Sequence, residues 1–238
     1  MRAVLGGLAM LEGCRVGVVI PALDERNAIG RVIADIPAWV DTIVVADNGS
    51  RDGTADVARA HGATVVHEPE RGYGAACLAG LTAIGAVDVV VFMDGDYSDH
   101  AEDMIQLVVP IVSGVCDFAI GSRVRGARER GALTPQQVAG NWLATRFLRL
   151  IWGAEFTDLG PFRAIRRTAL DRLNMADRTF GWTIEMQIKA TKAGLRVREV
   201  PVRYRRRIGV SKISGTFGGT LRAGYKIMAV IARYALRA

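Results

Sequence analysis

Cysteine, histidine and long apolar runs are all scarce in this chain of 238 residues. Its three cysteines, Cys14, Cys77 and Cys116, form no CxxC pair and are odd in number, which argues against a disulfide framework and a zinc site. No apolar run reaches the ~18–20 residues that a membrane-spanning helix needs, and we expect no cleaved signal peptide. The sequence therefore argues against an integral membrane protein and a small secreted protein, and it predicts a cytoplasmic location.

Acidic residues are absent from the last part of the chain. All 24 Asp and Glu residues precede Val200, whereas nine of the 31 Lys and Arg residues follow it. The net charge of +7 is therefore concentrated in the C-terminal segment. Such a local excess predicts an anionic partner at that end, namely a phosphate group, an anionic lipid or a nucleic acid.

The hydrophobic pattern is that of a globular α/β protein. Valine-rich runs predict buried strands, and they alternate with amphipathic stretches that predict helices. The predicted strands are residues 15–20, 42–46, 63–67, 88–93, 117–120 and 196–204. The predicted helices are residues 25–35, 54–61, 73–85, 101–113, 137–152, 167–173, 181–193 and 220–236. This alternation predicts a mostly parallel central sheet flanked by helices.

Polar clusters follow three of the predicted strands at the point where each strand ends. They occupy residues 21–25, 47–54 and 94–99, and they are mostly acidic. Each cluster alone is an ordinary turn sequence, but ligands of open α/β sheets bind beyond the carboxyl ends of the strands. Several carboxylates in one cleft repel one another unless a cation lies between them, and oxygen ligands suit Mg²⁺ or Mn²⁺. The pattern therefore predicts a divalent cation that binds substrate phosphates.

Eight short motifs occur in one order along almost the whole chain. They are residues 18–25 (VVIPALDE), 43–54 (IVVADNGSRDGT), 71–76 (RGYGAA), 90–96 (VVFMDGD), 121–123 (GSR), 158–163 (DLGPFR), 199–202 (EVPV) and 209–212 (GVSK). In these motifs the sequence resembles the family 2 glycosyltransferases of the GT-A (Rossmann-like) fold, in particular the dolichyl- or polyprenyl-phosphate hexosyltransferases. The resemblance implies transfer of a hexose from a nucleotide sugar, of the GDP-mannose or UDP-glucose type, to a lipid phosphate.

The resemblance also implies which residues hold the donor nucleotide. Pro21, Leu23 and Glu25 match the loop after the first strand that contacts the nucleotide, with Leu23 in place of the usual aromatic residue. Asp47 matches the acid that recognises the base or ribose, and Asn48 replaces a second acid beside it.

The remaining matches concern the metal and the acceptor. Asp94 and Asp96 match the DxD pair, with Gly95 between them, that holds the metal ion and the donor diphosphate. Arg123 matches a residue associated with the acceptor phosphate. Two further polar positions of the pocket and its mobile loop are Arg163 and Lys212. The implied catalytic residues are Asp96, Arg123 and Lys212.

The basic C-terminal segment divides into a loop and a helix. We expect residues 1–215 to form the GT-A domain and residues 216–238 to form a basic amphipathic helix. At about 100° per residue, the helix places Arg222, Lys226, Arg233 and Arg237 in one narrow arc. The helix therefore packs either on the domain or on an anionic membrane, and peripheral membrane contact is one expected partnership. In the loop, we expect at least one of the arginines at 203–207 to bind phosphate together with Lys212.

The acceptor decides whether the reaction needs a general base. A phosphate acceptor is already anionic and needs none, whereas a hydroxyl acceptor needs a carboxylate base, for which Glu185 and Asp158 are candidates. One alternative function is transfer to a small soluble acceptor such as a phosphorylated acid. The other is a non-catalytic protein that binds anionic surfaces. We expect no nucleic-acid partner, because the acidic loops would repel a phosphate backbone.

Overall fold

A computed structural model of the protein describes residue 11, residues 13–209 and residues 217–236. Its strands are β1 Val16–Ala22, β2 Thr42–Asp47, β3 Thr64–His67, β4 Val89–Phe92, β5 Phe118–Ser122, β6 Arg163–Arg166 and β7 Val197–Pro201. They form one sheet in the order β3-β2-β1-β4-β6-β5-β7. Strand β6 runs antiparallel to both of its neighbours, and every other pairing in the sheet is parallel.

The helices lie close to the positions that the sequence predicts. They are α1 Arg26–Asp35, α2 Thr54–Ala60, α3 Tyr73–Ala83, α4 Met104–Val112, α5 Pro135–Trp152, α6 Arg167–Leu173, α7 Trp182–Lys192 and α8 Phe217–Ala235. Helix α5 begins two residues earlier than predicted because Thr134 caps it. The Thr134 hydroxyl accepts the Gln137 N–H while the Gln137 side chain accepts the Thr134 N–H.

Two hydrophobic cores cover the two faces of the sheet. Successive side chains of a strand point to opposite faces, so Val18 and Ile20 of β1 pack with α1, α2 and α4, whereas Val19 packs with α3, α6 and α7. This arrangement explains why the strands read as continuous apolar runs rather than as an alternating pattern. The predicted mostly parallel sheet between helices is confirmed.

Helices α5 and α8 form an additional layer outside α7. Leu148 of α5, Ile184 of α7 and Val230 of α8 meet in a third apolar cluster. In the described part of the chain, no helix combines the length and apolarity required to cross a bilayer.

Strand β6 was not predicted from the sequence as a strand. Its four residues include two arginines, so it shows neither an apolar run nor an alternating pattern. Its pairing between β4 and β5 determines its conformation. Strand β7 is shorter than predicted, because the chain leaves the sheet after Pro201. Beyond it, Tyr204 forms isolated bridges with Asp99 and Arg128 above the strand ends.

The parallel pairing brings three strand ends to one edge of the sheet. Ala22 of β1 lies opposite Asp47 of β2, and Val19 lies opposite Phe92 of β4. The three acidic clusters of the sequence follow these strand ends, so the sheet brings them together.

Candidate active site

A cavity of about 290 Å³ opens at the carboxyl ends of β1, β2 and β4. Seven of the residues expected to bind donor or metal line it: Pro21, Leu23, Glu25, Asn48, Asp94, Gly95 and Asp96. Arg207, one of the arginines of which at least one was expected to bind phosphate, also lines it. Residues that the sequence did not assign to the site line it too, and these include Arg71, Tyr73, Thr179 and Phe180. The cavity is therefore built from both halves of the chain.

The loops after β1 and β2 hold each other in place. The Glu25 N–H donates to the hydroxyl of buried Thr54 at 2.8 Å, and the Asp24 N–H donates to Ser50 at 2.9 Å. In return, the Asp24 carboxylate accepts the Arg51 N–H at 2.8 Å. Much of the polar cluster at residues 47–54 therefore holds the loop at residues 21–25 in place. Glu25, at the end of that loop, lines the cavity.

Asp47 and Asn48 differ in their position relative to the cavity. Asp47 is buried beside the cavity wall, where its carboxylate accepts the Ser50 N–H and contacts the His67 ring. The Asn48 side chain lines the cavity and donates to the carbonyls of Glu68 and Glu70. Asn48 therefore anchors the segment that leads to the glycines at the start of α3.

The acidic pair Asp94 and Asp96 lines the cavity, and buried Asp99 accepts the Asp94 N–H. Burial and the neighbouring Asp96 carboxylate raise the pKa of Asp94 to about 7, and burial together with Asp94 raises the pKa of Asp99 well above its usual range. The Tyr73 hydroxyl donates to Asp94 at 3.2 Å, and Ser98 donates to Asp96 from both its N–H and its hydroxyl. Several carboxylates are thus concentrated where desolvation disfavours their charge.

Arg207 is the cation that faces this acidic pair. Its guanidinium lies 3.1 Å from an Asp96 oxygen and 2.6 Å from a Glu25 oxygen. The backbone supports it, since the Ile208 N–H donates to the Asp96 carbonyl at 2.9 Å. Arg207 lines the cavity, and its buried Nε has no hydrogen-bond partner.

The other arginines of the 203–207 run are occupied within the protein. Arg203 pairs with Asp103 at 2.7 Å and Glu102 at 2.6 Å, and Arg205 stacks on the Tyr97 ring at 3.4 Å. The Arg206 side chain donates to the Arg130 carbonyl. The expectation that this basic run marks an external anionic partner is therefore corrected for these three residues, because their charges bind groups of the protein itself.

Arg123 lies behind the acidic pair and is absent from the cavity wall. Its guanidinium forms a two-pronged pair with fully buried Asp158, at 2.6 and 2.8 Å, and packs on the Tyr204 ring at 5.1 Å. Burial acts to lower the pKa of Arg123, but the Asp158 carboxylate outweighs burial and raises it. In this structure Arg123 therefore supports the loops around the acidic pair.

Arg163 also lies outside the cavity, in contrast to the expectation that it lines the pocket. Its fully buried guanidinium donates to the carbonyls of Leu159, Gly160 and Thr183. Burial lowers the pKa of Arg163 to about 10. With its donors directed to main-chain oxygens, Arg163 joins the segment before β6 to the start of α7.

Thr179 and Phe180 reach the cavity because two glycines let main chains approach closely. A Cβ atom on Gly72 would lie 2.0 Å from the Arg178 carbonyl oxygen, and one on Gly74 would lie 1.9 Å from that of Asp177. The Gly74 N–H donates to the Thr179 carbonyl at 3.1 Å. The glycines thus serve main-chain packing, and the only sequence signal for this wall was the motif at residues 71–76.

The two candidate general bases are both engaged away from the cavity. Asp158 pairs with Arg123. Glu185, which is buried, accepts the N–H groups of Ala176 and Asp177 and the Tyr234 hydroxyl. His100 lies outside the cavity wall, and Lys212 lies outside the described residues.

The donor set of the acidic pair fits a divalent cation. Asp94 is held in a position that raises its pKa, and a buried oxygen of Asp99 lacks a hydrogen-bond partner. Within the described residues, no group of three or more His, Cys, Asp or Glu side chains forms a metal cage. Such a site suits Mg²⁺ or Mn²⁺, since Mg²⁺ commonly takes one or two carboxylates together with water and substrate phosphates.

Comparison with protein families decides the identity of this fold. The family model described as glycosyl transferase family 2 matches residues 17–173, which include the strand ends and the acidic pair. The chain belongs to this family. It is therefore a family 2 glycosyltransferase, and the alternative of a non-catalytic binding protein is set aside.

Relatives of this glycosyltransferase cover most of its length. A glycosyltransferase of Mycobacterium tuberculosis, whose own activity is uncharacterised, is 38% identical over 214 residues, covering 89% of this chain and 95% of the relative. The dolichyl-phosphate hexose transferase of Haloferax volcanii is 32% identical over 208 residues, covering 85% and 88%. The glucosyl-3-phosphoglycerate synthase of Mycobacterium tuberculosis, solved with Mn²⁺ and UDP-glucose, is 27% identical with a TM-score of 0.75, covering 96% and 82%.

Proposed function

We propose that this glycosyltransferase moves a hexose from a nucleotide sugar of the GDP-mannose or UDP-glucose type to the phosphate of a polyprenyl or dolichyl lipid. The observation that carries the proposal is the location of the carboxylates. Asp158 and Glu185, the candidate bases for a hydroxyl acceptor, are engaged elsewhere, whereas Asp94 and Asp96 line the cavity. An acceptor that is already anionic needs no base. The similarity to a dolichyl-phosphate hexose transferase supports the same acceptor class.

The donor would lie between the loop after β1 and the acidic pair. Pro21, Leu23 and Glu25 supply the wall for the nucleotide, and Asp47 and Asn48 lie at the adjacent strand end. Asp94 and Asp96 would hold Mg²⁺ or Mn²⁺. When bound, the ion supplies positive charge that stabilises the diphosphate leaving group.

In the proposed reaction an oxygen of the acceptor phosphate attacks the anomeric carbon. The bond from that carbon to the diphosphate oxygen breaks, and the nucleoside diphosphate leaves with the electron pair, so the product has inverted configuration. Arg207 lines the cavity beside the acidic pair, so its guanidinium can donate to an oxygen of a diphosphate bound there. Arg123 holds Asp158 and the neighbouring loops in place, and we assign to Lys212 the role of pairing with the acceptor phosphate.

The domain organisation follows from this assignment. We place catalysis in residues 1–215, with residues 216–238 as an accessory helix whose described part packs on α5 and α7. A lipid-borne acceptor would bring the enzyme to the cytoplasmic face of a membrane as a peripheral protein.

A small soluble acceptor is the second candidate. The fold similarity to glucosyl-3-phosphoglycerate synthase favours it, because the name of that enzyme specifies a phosphorylated acid as the acceptor. That acceptor would meet the same cavity and the same acidic pair, so the donor chemistry proposed here would be unchanged.

The two acceptors can be separated by a partition assay. Labelled UDP-glucose or GDP-mannose is incubated with the enzyme, Mn²⁺ and either undecaprenyl phosphate or 3-phosphoglycerate, and the label is then followed into an organic or aqueous phase. We expect label in the organic phase with the lipid acceptor. Transfer to 3-phosphoglycerate alone would replace the proposed acceptor with the second candidate.

A variant tests the role of the acidic pair in the same assay. Asp96→Ala is expected to abolish transfer, whereas Asp56→Ala, at an exposed carboxylate on α2, should leave it unchanged. Circular dichroism should show that both variants are folded. Full turnover by Asp96→Ala with metal still required would contradict the proposed metal site.

A further inference from the structure

Helix α5 exposes an unusually apolar outer face. Trp142 is 63% exposed and Leu150 is 79% exposed, and Val138 and Leu143 are exposed beside them. Val138, Trp142 and Leu150 share one stripe of the helix, because they are spaced by four and eight residues. The opposite side of α5, with Ala144 and Leu148, is buried against α7 and α8. The exposed apolar stripe therefore lies on the side of α5 opposite the one that packs in the core.

Helix α8 packs beside α5. It contacts α5 and α7 through Val230 and Ile231, and it exposes Tyr225 at 76%, while Leu236, just beyond its end, is 87% exposed. We refer to the exposed side chains of α5 and of α8 with Leu236 together as the outer face. Exposed apolar area of this kind marks an interaction surface in proteins.

The charge of the outer face has a single sign. Neither α5 nor α8 contains an Asp or Glu residue, whereas Arg146 and Arg149 lie among the exposed apolar residues of α5 and Arg233 is exposed on α8. Glu155, beyond the end of α5, pairs with Arg149 in a contact where both side chains are largely exposed. Because an exposed ion pair contributes little free energy, Arg149 can exchange Glu155 for another anion.

We propose that the outer face is a docking surface for an anionic phospholipid membrane. Tryptophan and tyrosine favour the boundary between lipid headgroups and acyl chains, leucines insert into it, and arginines extend to the phosphates. A second copy of the chain fits less well. In a twofold dimer the same patch meets itself, so arginines would lie opposite arginines.

The inward side of α8, opposite its exposed side chains, adjoins the segment that forms part of the cavity wall. Val230 of α8 packs on Gly181, where an added Cβ would approach it to 2.7 Å, and Lys226 pairs with Asp177 at 3.0 Å. Residues 177–181 carry Thr179 and Phe180 into the cavity. Helix α8 therefore connects the docking surface with the segment that reaches the cavity. The proposal does not depend on which acceptor the enzyme uses.

Vesicle flotation of the full chain tests the proposal without donor or acceptor. Vesicles of phosphatidylcholine alone are compared with vesicles of an equimolar mixture of phosphatidylcholine and phosphatidylglycerol, neither containing polyprenyl phosphate. We expect the protein to float with the anionic vesicles and to be released as salt is raised. Failure to float would overturn the docking surface and leave the proposed transfer reaction to its own assay.

Two pairs of variants locate the binding surface. Trp142→Ser with Leu150→Ser should weaken vesicle binding about tenfold or more through lost apolar burial, whereas Val115→Ser, at an exposed apolar site on another surface, should not weaken it. Arg146→Glu with Arg149→Glu should also weaken it at least about tenfold, since each basic residue contributes about 1 kcal/mol at an anionic surface. Arg172→Glu with Arg198→Glu makes the same change in net charge elsewhere and should have a smaller effect.

Three results would overturn the proposal. The first is equal binding to both kinds of vesicle or to neither. The second is equal loss of binding in the variants and their matched controls. The third is a dimer in size-exclusion chromatography that Trp142→Ser with Leu150→Ser converts to a monomer, because the outer face would then be a contact between copies.

Discussion

The acidic and basic sides of the cavity come from different halves of the chain and are held in different ways. In the first half, parallel strand pairing fixes the positions of Glu25, Asn48 and Asp94, because each follows the end of a buried strand. In the second half, side-chain contacts fix the cation Arg207, which pairs with Glu25 and Asp96. The strands of the first half thus determine where the carboxylates lie. The cation that pairs with them, Arg207, reaches them only when the second half folds onto the first.

The buried pair of Arg123 and Asp158 offers the strongest test of this difference. We expect Asp158→Asn to reduce the free energy of unfolding by about 3–5 kcal/mol, because it leaves a buried guanidinium without its carboxylate. In Asp171→Asn, which removes the exposed pair with Arg167, the loss should be about 0.5 kcal/mol or less. Urea unfolding measures both. Similar small losses in the two variants would mean that the second half does not depend on its buried ion pair.

Two adjacent arginines test whether position or charge matters near the acidic pair. Arg207→Ala should lower kcat/KM on the order of tenfold to a hundredfold, because it removes the cation that pairs with Asp96 and that we propose contacts the diphosphate. Arg206→Ala should stay near the wild-type value, since that side chain donates to the Arg130 carbonyl. Steady-state kinetics with the acceptor found in the partition assay give the comparison. Equal losses would indicate a general effect of the basic segment.

The smallest expected effect is a dependence of stability and metal binding on pH, through the carboxyl group of Asp94 on the acidic side of the cavity. With its pKa raised to about 7, the Asp94 carboxyl favours the folded state in its protonated form, so its contribution to stability is lost as pH rises through about 7. Metal binding needs the carboxylate, so the thermal stabilisation by Mn²⁺ with UDP should be larger at pH 8 than at pH 6. The affinity difference should stay within about tenfold. The same pH dependence in Asp94→Asn would show that another group is responsible.

The sequence indicated which residues of the first half meet at the carboxyl ends of the strands, because its signals there are local. A valine-rich run followed by polar residues determines a strand end, and parallel pairing does the rest, so seven predicted residues line the cavity. In the second half the contacts connect distant residues. Arg123 and Asp158 are 35 positions apart. Arg163, which the resemblance placed in the pocket, is fully buried outside the cavity wall. Nothing local in residues 176–181 indicates that Phe180 reaches the cavity.

The contact between Arg207 and Asp96 also affects how the site is filled. Because Arg207 already pairs with Asp96, a metal ion held by Asp96 would have to replace that contact with the guanidinium. The net charge around Asp96 would then change by less than the charge of the ion. The guanidinium would remain nearby and could pair with the anion that accompanies the ion. Binding of cation and nucleotide would in this sense be an exchange of partners at Asp96.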